Sequence, residues 1–519
     1  MSILLEKKHI LCIMDQPRGL RIHLVKNLLY RLCLGLLGIA LLSGCLPAAE
    51  EKKLSVDEFI ALMQSAVPEM LYYFEIPGAE VALISGGEVV WSQGFGTAEI
   101  ESNRPVQTDT LFQAASISKS FTAWGVMKLV EEGKMDLDAP IETYLKRWHL
   151  PDSEFDHDRV TVRRLLTHSA GLSIARYKGL PPDAEVPPLD EAFRQMTAAG
   201  TGIYVENPPG KEFRYSDSNF LLLMLAVEDL TGEPFEQFMQ REIIEPLGLT
   251  QASFFWDASQ LRDTAVGYDS LFIPYDEYLY SQKASAGLYT TAYDLANFVA
   301  ASMTGAFGEL PGRRILTPET IESMTSYQQD IQGWDSWIYS DAYGYGYFVE
   351  HLPSGQLVYS HMGGNPGWLS EFAAIPETGD GIVVLSNVTH GHELFADVLT
   401  EWTDWLGVGR VRVAGTILFA RYIFDVISTG LSVLGLFLIS PLLAGFTFGR
   451  RRFCLDFRCM PWWRILLLVI LPVIGLAAWW ALGYPALQVS LPSQRDWMSV
   501  GLTILLAGMF LRGISVRKT

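Results

Sequence analysis

The stretch Leu111–Ala123 reads L-F-Q-A-A-S-I-S-K-S-F-T-A. Ser116 and Lys119 stand at i and i+3, which places a hydroxyl and an amine on one face of a helix. A serine at a helix start has the positive end of the dipole behind it, which favours an oxyanion there. A lysine acts as a base only where burial or a neighbouring cation lowers its pKa, so the pattern demands a sheltered site. Alone the pattern is weak, because S-x-x-K occurs about once by chance in a chain this long. A solvent-facing helix turn is the competing reading.

Outward from this segment the periodicity changes twice. Upstream, Ser55–Leu71 has helical spacing (Phe59, Leu62, Met63, Val67), with Asp57 and Glu58 in its first turn. V-A-L-I-S-G-G-E-V-V-W, 81–91, follows as a hairpin around Ser85–Glu88. From about 116 to 285 helical patterns dominate, broken by proline-rich loops at 179–188 and 207–210. T-A-Y-D at 291–294 reads as a capping box with aspartate in the glutamate role, opening a helix through Met303. Strands return at Tyr343–Val349, Leu357–His361, Ser370–Ile375 and Gly381–Ser386. Sheet, helical excursion, sheet again predicts an α+β fold with a helical insertion.

Two further segments give Ser116 and Lys119 their context: P-P-G-K-E-F-R-Y-S-D-S-N-F, 208–220, and Y-S-H-M-G-G-N-P-G-W, 359–368. With 111–123 they resemble, in order and spacing, the three motifs of the serine β-lactamase and penicillin-binding superfamily, in its class C-like branch with D-aminopeptidases and esterases. L-L-T-H-S-A-G-L (165–172), P-L-G-L (246–249), A-G-L-Y-T-T-A-Y-D-L (286–295) and V-V-L-S-N (383–387) add to the likeness, which covers roughly 53–405. The resemblance implies an antiparallel sheet flanked by helices, a serine nucleophile and no cofactor or metal. Ser116 would form the acyl-enzyme. Lys119 and Tyr215 would share the proton traffic, one cationic and lowering the pKa of the other. His361, on an edge strand, would donate to Tyr215 or to substrate. The backbone N–H groups of Ser116 and Gly364 would form the oxyanion hole, with glycine at 363 and 364 admitting substrate close to the strand.

Two positions depart from the family pattern. Asp217 stands where Tyr-x-Asn has an amide; a carboxylate cannot donate to a substrate carbonyl, though it pairs with a lysine or an amine. Asn219, two residues on, is the nearest amide for substrate binding. His361-Met362-Gly363 stands where others have Lys-Thr-Gly, so a permanent cation gives way to a group mostly neutral at pH 7. His168 reads as a structural hydrogen-bonding residue, and His390-Gly391-His392 lacks a clear third metal ligand.

Charge divides the 519 residues into three parts. The chain holds 39 Lys+Arg and 58 Asp+Glu, for a net charge of −19. The flanks before Cys45 and after Arg412 carry 16 basic and 5 acidic residues, which leaves 23 and 53 in segment 46–412, a net of −30. Such acidity argues against nucleic acid as a partner. Positions 32–42, L-C-L-G-L-L-G-I-A-L-L, form a short apolar run after Lys26 and Arg31 and before Ser43-Gly44-Cys45. Residues 1–45 therefore read as a signal peptide whose L-S-G-C resembles a bacterial lipobox, with Cys45 as the lipidated residue. Met14 is an alternative start. No cysteine lies between 46 and 453, so the body 46–412 holds no internal disulfide.

Segment 413–519 contains three apolar runs without charge, Val426–Phe446, Ile465–Leu487 and Trp497–Leu511. The first two are long enough to span a bilayer; the third needs its flanks. The loop 450–464 carries five arginines against Asp456, which places it in the cytoplasm and the body outside. Trp462-Trp463 and Trp479-Trp480 read as interface anchors. The expectation is a serine hydrolase anchored in a bacterial cell membrane, cleaving an amide or ester in a peptidoglycan-related peptide, a D-amino-acid peptide or a small ester. The alternative is a penicillin-binding sensor or cell-wall binding protein that acylates without turnover.

Overall fold

A computed structural model describes residues 54–517 apart from 175–179, 181–183, 256–262, 276–280, 334–335, 337, 454–460, 485 and 488–490. The leader with Cys45 and the central part of the arginine loop lie outside the described residues. The chain divides into two compact units, one over Lys53–Leu418 and one containing Phe419–Thr519.

The larger unit is built on a nine-stranded sheet in which every paired neighbour is antiparallel. Helix α1 (Val56–Tyr73) precedes it, and its start is a full capping box between Ser55 and Glu58. The hairpin β1 (Gly78–Ser85) and β2 (Glu88–Glu99) follows, then the short β3 (Arg104–Pro105) and, outside the main sheet, β4 (Phe112–Gln113). The helical excursion begins with α2 (Ser118–Glu131) and includes α3 (Asp217–Thr231). It closes through β5 (Tyr289–Thr290), which pairs with β4, and α4 (Ala292–Ala301). The strands β6 (Gln329–Asp330), β7 (Ala342–Tyr343), β8 (Phe348–His351), β9 (Leu357–Asn365), β10 (Trp368–Ile375) and β11 (Asp380–Ser386) then complete the sheet in the order β3-β2-β1-β11-β10-β9-β8-β7-β6.

Strand alternation sorts the core onto two faces. Ala82, Ile84, Val383 and Leu385 face the helical excursion. Ala79, Val81, Leu83, Ile382 and Val384 face α1 and α5 (His392–Leu406). Central strands β1 and β11 are therefore apolar on both sides, as their continuous hydrophobic runs require.

Two local expectations change. The strand expected over Tyr343–Val349 is two strands, β7 and β8, turned back on each other at Gly344–Tyr347, where Gly346 adopts φ +84°. The capping box at Thr291 is half made: its hydroxyl accepts from the Asp294 N–H, but the Asp294 carboxylate accepts from Gln251 and Ala252 N–H instead. A tertiary contact outcompetes the local one.

Helix α6 (Arg412–Thr447) opens inside the larger unit, where Val411, Val413 and Ala414 join the core beside α5. The Arg412 guanidinium bonds to Glu350, Asp341 and the Ser336 carbonyl. Among the described residues, two helices are long and apolar enough to cross a membrane by length and composition, Arg412–Thr447 and Leu466–Gly483. A third, α7 (Pro492–Gly513), carries Arg495, Asp496 and Arg512 near its ends. Gly435 lies where a Cβ would strike the Ile504–Leu505 backbone, so α6 and α7 approach closely there. Beyond α6 and α7, β12 (Arg451–Phe453) pairs with β13 (Ser515–Arg517).

Candidate active site

Ser116 sits in a 3-10 turn, Ala115–Ile117, that runs directly into α2. Ala115 is held at φ +46°, a strained conformation for a side-chain-bearing residue, immediately before the serine. The surroundings fix it there. Ala114 N–H donates to Leu288 O, and the Ser370 hydroxyl donates to Ala114 O at 2.7 Å. Helix α2 is anchored in kind, with Ser120 donating to Gly346 O and Thr122 to Ala284 O. Lys119 has no exposed surface, which excludes the solvent-facing turn.

The structure brings Ser116, Lys119, Tyr215 and Asp217 together. Lys119 Nζ lies 3.1 Å from Ser116 Oγ, 2.9 Å from Ser285 O and 2.7 Å from Asp217 Oδ1. It also stands 5.0 Å from the centre of the Tyr215 ring, and Tyr215 shares hydrogen bonds with Ser116 and Lys119. Only an ammonium, with three N–H donors, serves this many acceptors. Burial opposes the charge on Lys119, but Asp217, and then Tyr215, outweigh it and raise the pKa. Burial raises Tyr215 as well, against the lowering pull of Lys119. The expected lowering of one member by the other is present but overridden. Both hold their protons at rest.

Asp217 owes its place to the local fold. Ser216 caps α3 and Asp217 is its first residue, where the helix dipole favours a carboxylate. Asn219 points elsewhere: it is buried, and its amide donates to His168 Nδ1 and Ser216 O. It does not face the serine as a substrate amide would. His168, at φ +54°, also accepts from Ser216 N–H and lies under the Tyr215 ring, a structural part as its motif suggested.

His361 differs from expectation in position and direction. β9 runs between β10 and β8 rather than at the sheet edge, although β8 pairs only as far as Ser360. His361 Nδ1 donates to the Met362 carbonyl at 2.7 Å, so the neutral ring accepts at Nε2 from the Tyr343 hydroxyl at 2.9 Å. Burial, aided by Lys119, depresses its pKa to about 3. The ring is thus a neutral acceptor for Tyr343, not a donor to Tyr215. Tyr343 and the Ser285 carbonyl were not singled out in sequence; Tyr343 opens Y-G-Y-G-Y, a signal of sorts, whereas a backbone carbonyl leaves none.

Gly363 and Gly364 serve different needs. A Cβ at 363 would meet Ala114 O at 2.3 Å and Ser116 N at 2.9 Å, so β9 can cross the serine turn only with glycine there. A Cβ at 364, an exposed position, would meet only Leu369 at 3.3 Å. Trp368 packs inward, edge-on to Phe112. His390 Nε2 bonds to the Glu75 carbonyl, and no group of three His, Cys, Asp or Glu among the described residues is placed to hold a metal.

A sheet with helices on both faces, and a serine and tyrosine gathered around a buried lysine, define a serine hydrolase fold of the beta-lactamase type. The family model for beta-lactamase matches residues 67–402, and the chain belongs to that family. It is similar to Protein flp of Staphylococcus aureus (strain MRSA252), 23% identical over 320 residues, covering 60% of each chain. This chain therefore spans less than two thirds of that relative's length. Among solved structures it is similar to the octameric penicillin-binding protein homologue from Pyrococcus abyssi, with TM-score 0.52, 27% identity and coverage of 63% of this chain and 73% of the other. The D-amino acid amidase from Ochrobactrum anthropi SV3 shares the fold at TM-score 0.53 and 24% identity, over 64% and 91% of the two chains.

Proposed function

We propose that this chain is a membrane-anchored, extracytoplasmic serine hydrolase that cleaves an ester or amide through an acyl-enzyme on Ser116. The observation that carries the reading is the contact of the fully buried Lys119 Nζ with the half-buried Ser116 Oγ at 3.1 Å. Ser116 Oγ attacks the carbonyl carbon, and its proton passes to the Lys119–Tyr215 pair. The backbone N–H groups of Ser116 and Gly364 hold the oxyanion. The pair then protonates the leaving group, and water, deprotonated in the same way, releases the acyl group. Because both members are protonated at rest, one proton must leave the pair before it can accept the serine's, and activity rises with pH.

Charge supports a neutral or amine-bearing substrate. Lys119, the buried cation of the site, is already balanced by Asp217, and the third motif supplies neutral His361 where a lysine would hold a carboxylate. The body's net −30 repels anions at longer range. Short esters, or amides and esters of residues with a free amine, fit this better than anionic β-lactams. The apolar helices, the arginine loop and the leader support the anchor, with Cys45 as a second, lipid-bearing attachment.

The test is to profile the purified body with a fluorophosphonate, a fluorescent penicillin and a panel of esters and amino-acid amides, following labelling and turnover separately. Ester or amide turnover that disappears in Ser116→Ala supports the reading. Labelling without turnover of any substrate would make the protein a binder, and faster hydrolysis of benzylpenicillin than of every ester would overturn the charge argument.

A further inference from the structure

We propose that the arginine-bearing end of the helical unit is a docking face for anionic lipid headgroups, organised by the β12–β13 pair. This rests on the anchor reading above and adds a binding site to it. The pair joins the end of α6 to the end of α7, with Arg451 opposite Arg517, Arg452 opposite Val516 and Phe453 opposite Ser515. Arg451 Nη1 donates to Ser515 Oγ at 2.9 Å, and the Arg450 guanidinium lies 5.7 Å from the Phe448 ring centre. Phe446 and Phe453 stack at 4.4 Å. Arg450, Arg452 and Arg512 are exposed, as are Phe448, Phe453 and Trp462. Guanidinium groups and aromatic rings at one level are what the headgroup region of a bilayer accommodates.

Basic residues outnumber acidic ones at this end of the sequence. Asp456 is the sole acidic residue between 426 and 495, and none follows Asp496. The opposite end of α7 differs. There Arg495 Nε pairs with Asp496 Oδ1 at 3.1 Å and the guanidinium lies 5.2 Å from the Tyr484 ring. Arg495 and Arg512 are seventeen residues apart, roughly 26 Å along a helix, close to the thickness of a hydrocarbon core. One end thus pairs its arginine with a neighbouring carboxylate, and the other presents the exposed Arg450, Arg452 and Arg512 at the depth where phosphates lie. A lipid phosphodiester suits the exposed Arg450, Arg452 and Arg512, because guanidinium groups bind phosphate oxygens in parallel, charge-assisted hydrogen bonds.

The test uses the full-length protein extracted in mild detergent. Native mass spectrometry with equal added phosphatidylglycerol and phosphatidylcholine should show retained lipid biased to phosphatidylglycerol. The bias should fall by about fivefold for each arginine removed in the series Arg450→Gln, Arg451→Gln, Arg452→Gln. Arg495→Gln should leave it unchanged, and millimolar inorganic phosphate should not abolish it. Fluorophosphonate labelling of Ser116 reports that the larger unit is folded in each variant, and an unchanged far-ultraviolet circular dichroism spectrum of the full chain reports that the helices are kept. Equal retention of the two lipids by the wild type, or an undiminished bias in the triple variant, would overturn the proposal while the anchor stands. Release of the full chain from membranes by alkaline carbonate would overturn the anchor, and the headgroup face with it.

Discussion

Lys119 and Asp217 form a 2.7 Å ion pair in which the ammonium has no exposed surface and the carboxylate keeps 40% of its own. The pair sets the resting charge of the site. Asp217 raises the pKa of Lys119 and of Tyr215 alike. Asp217→Asn removes that contribution, so both pKa values fall and the proton the pair must shed leaves at lower pH. The ascending limb of kcat/KM should move to lower pH by about one unit or more, the scale of a neighbouring charge at this range. Relative activity should shift from esters toward benzylpenicillin. A pH profile unchanged in the variant would show that Asp217 does not tune the base.

Loss of the nucleophile should be complete and local. Ser116→Ala should abolish labelling by every acylating probe while circular dichroism and melting temperature stay near wild type. Lys119→Ala and Tyr215→Phe should each cost about 10²–10⁴ in kcat/KM, the range for general acid–base groups. Because the two act as one proton-transfer unit, the double variant should lose less than the product of the single losses.

Much of this site was legible in the sequence, for reasons that also mark the boundary of legibility. Ser116, Lys119 and Tyr215 belong to spaced motifs, and the side chains at those spacings converge as the motifs imply. The pairing of Asp217 with Lys119 follows from charge alone, since a buried ammonium must find an anion. The direction of the His361 hydrogen bonds did not follow. Whether an imidazole donates or accepts depends on what lies against each nitrogen, here the carbonyl of the next residue and a hydroxyl from β7. The division of 343–349 into two strands likewise depends on a turn whose glycine reads as easily within a strand.

Gly363 should tolerate no side chain, and Gly364 should tolerate a small one. Gly363→Ala drives a methyl group into Ala114 O and the Ser116 N–H, both backbone atoms that cannot yield without moving the strained serine turn. Destabilisation of about 1–3 kcal/mol is expected, with a fall in acylation rate of at least about 10²-fold. Gly364→Ala meets only the flexible end of Leu369 and should leave the melting temperature near wild type. Acylation rates and thermal melts of the two variants, measured side by side, check the contrast.

The soluble body should be cut after Leu418 rather than after Gly409. Truncation at Gly409 removes Val411, Val413 and Ala414 from the core and strips Glu350 of its Arg412 partner. Glu350 is already pushed up to about 7 by burial against the pull of Arg412, so losing the arginine leaves a buried carboxyl without compensation. The body ending at Leu418 should be soluble and melt several degrees above the one ending at Gly409. Equal melting temperatures would show that the first turns of α6 contribute nothing to the body.

Glu371 should make the body less stable as the pH rises, and glutamine should cure this. It lies on β10 opposite Met362 and Val384, on the face shared with Leu369, Ala373 and Ile375, buried in the core beneath α1 and α5. Burial, with a smaller push from Glu350, raises its carboxyl from 4.5 to about 8. Between those values the folded protein binds a proton that the unfolded chain releases, so unfolding is favoured more with each step upward in pH. The cost is absent below the unfolded pKa and complete above the folded one. Glu371→Gln has the same shape and no titration. The variant should match wild type near pH 4.5 and exceed it at pH 8 by an amount on the order of 3 kcal/mol. Glu80, which burial also raises to about 8, titrates in the same window but cancels in the difference. Urea unfolding of both proteins at pH 5, 6.5 and 8 checks the prediction, and a stability difference independent of pH would show that Glu371 is ionised in the folded state.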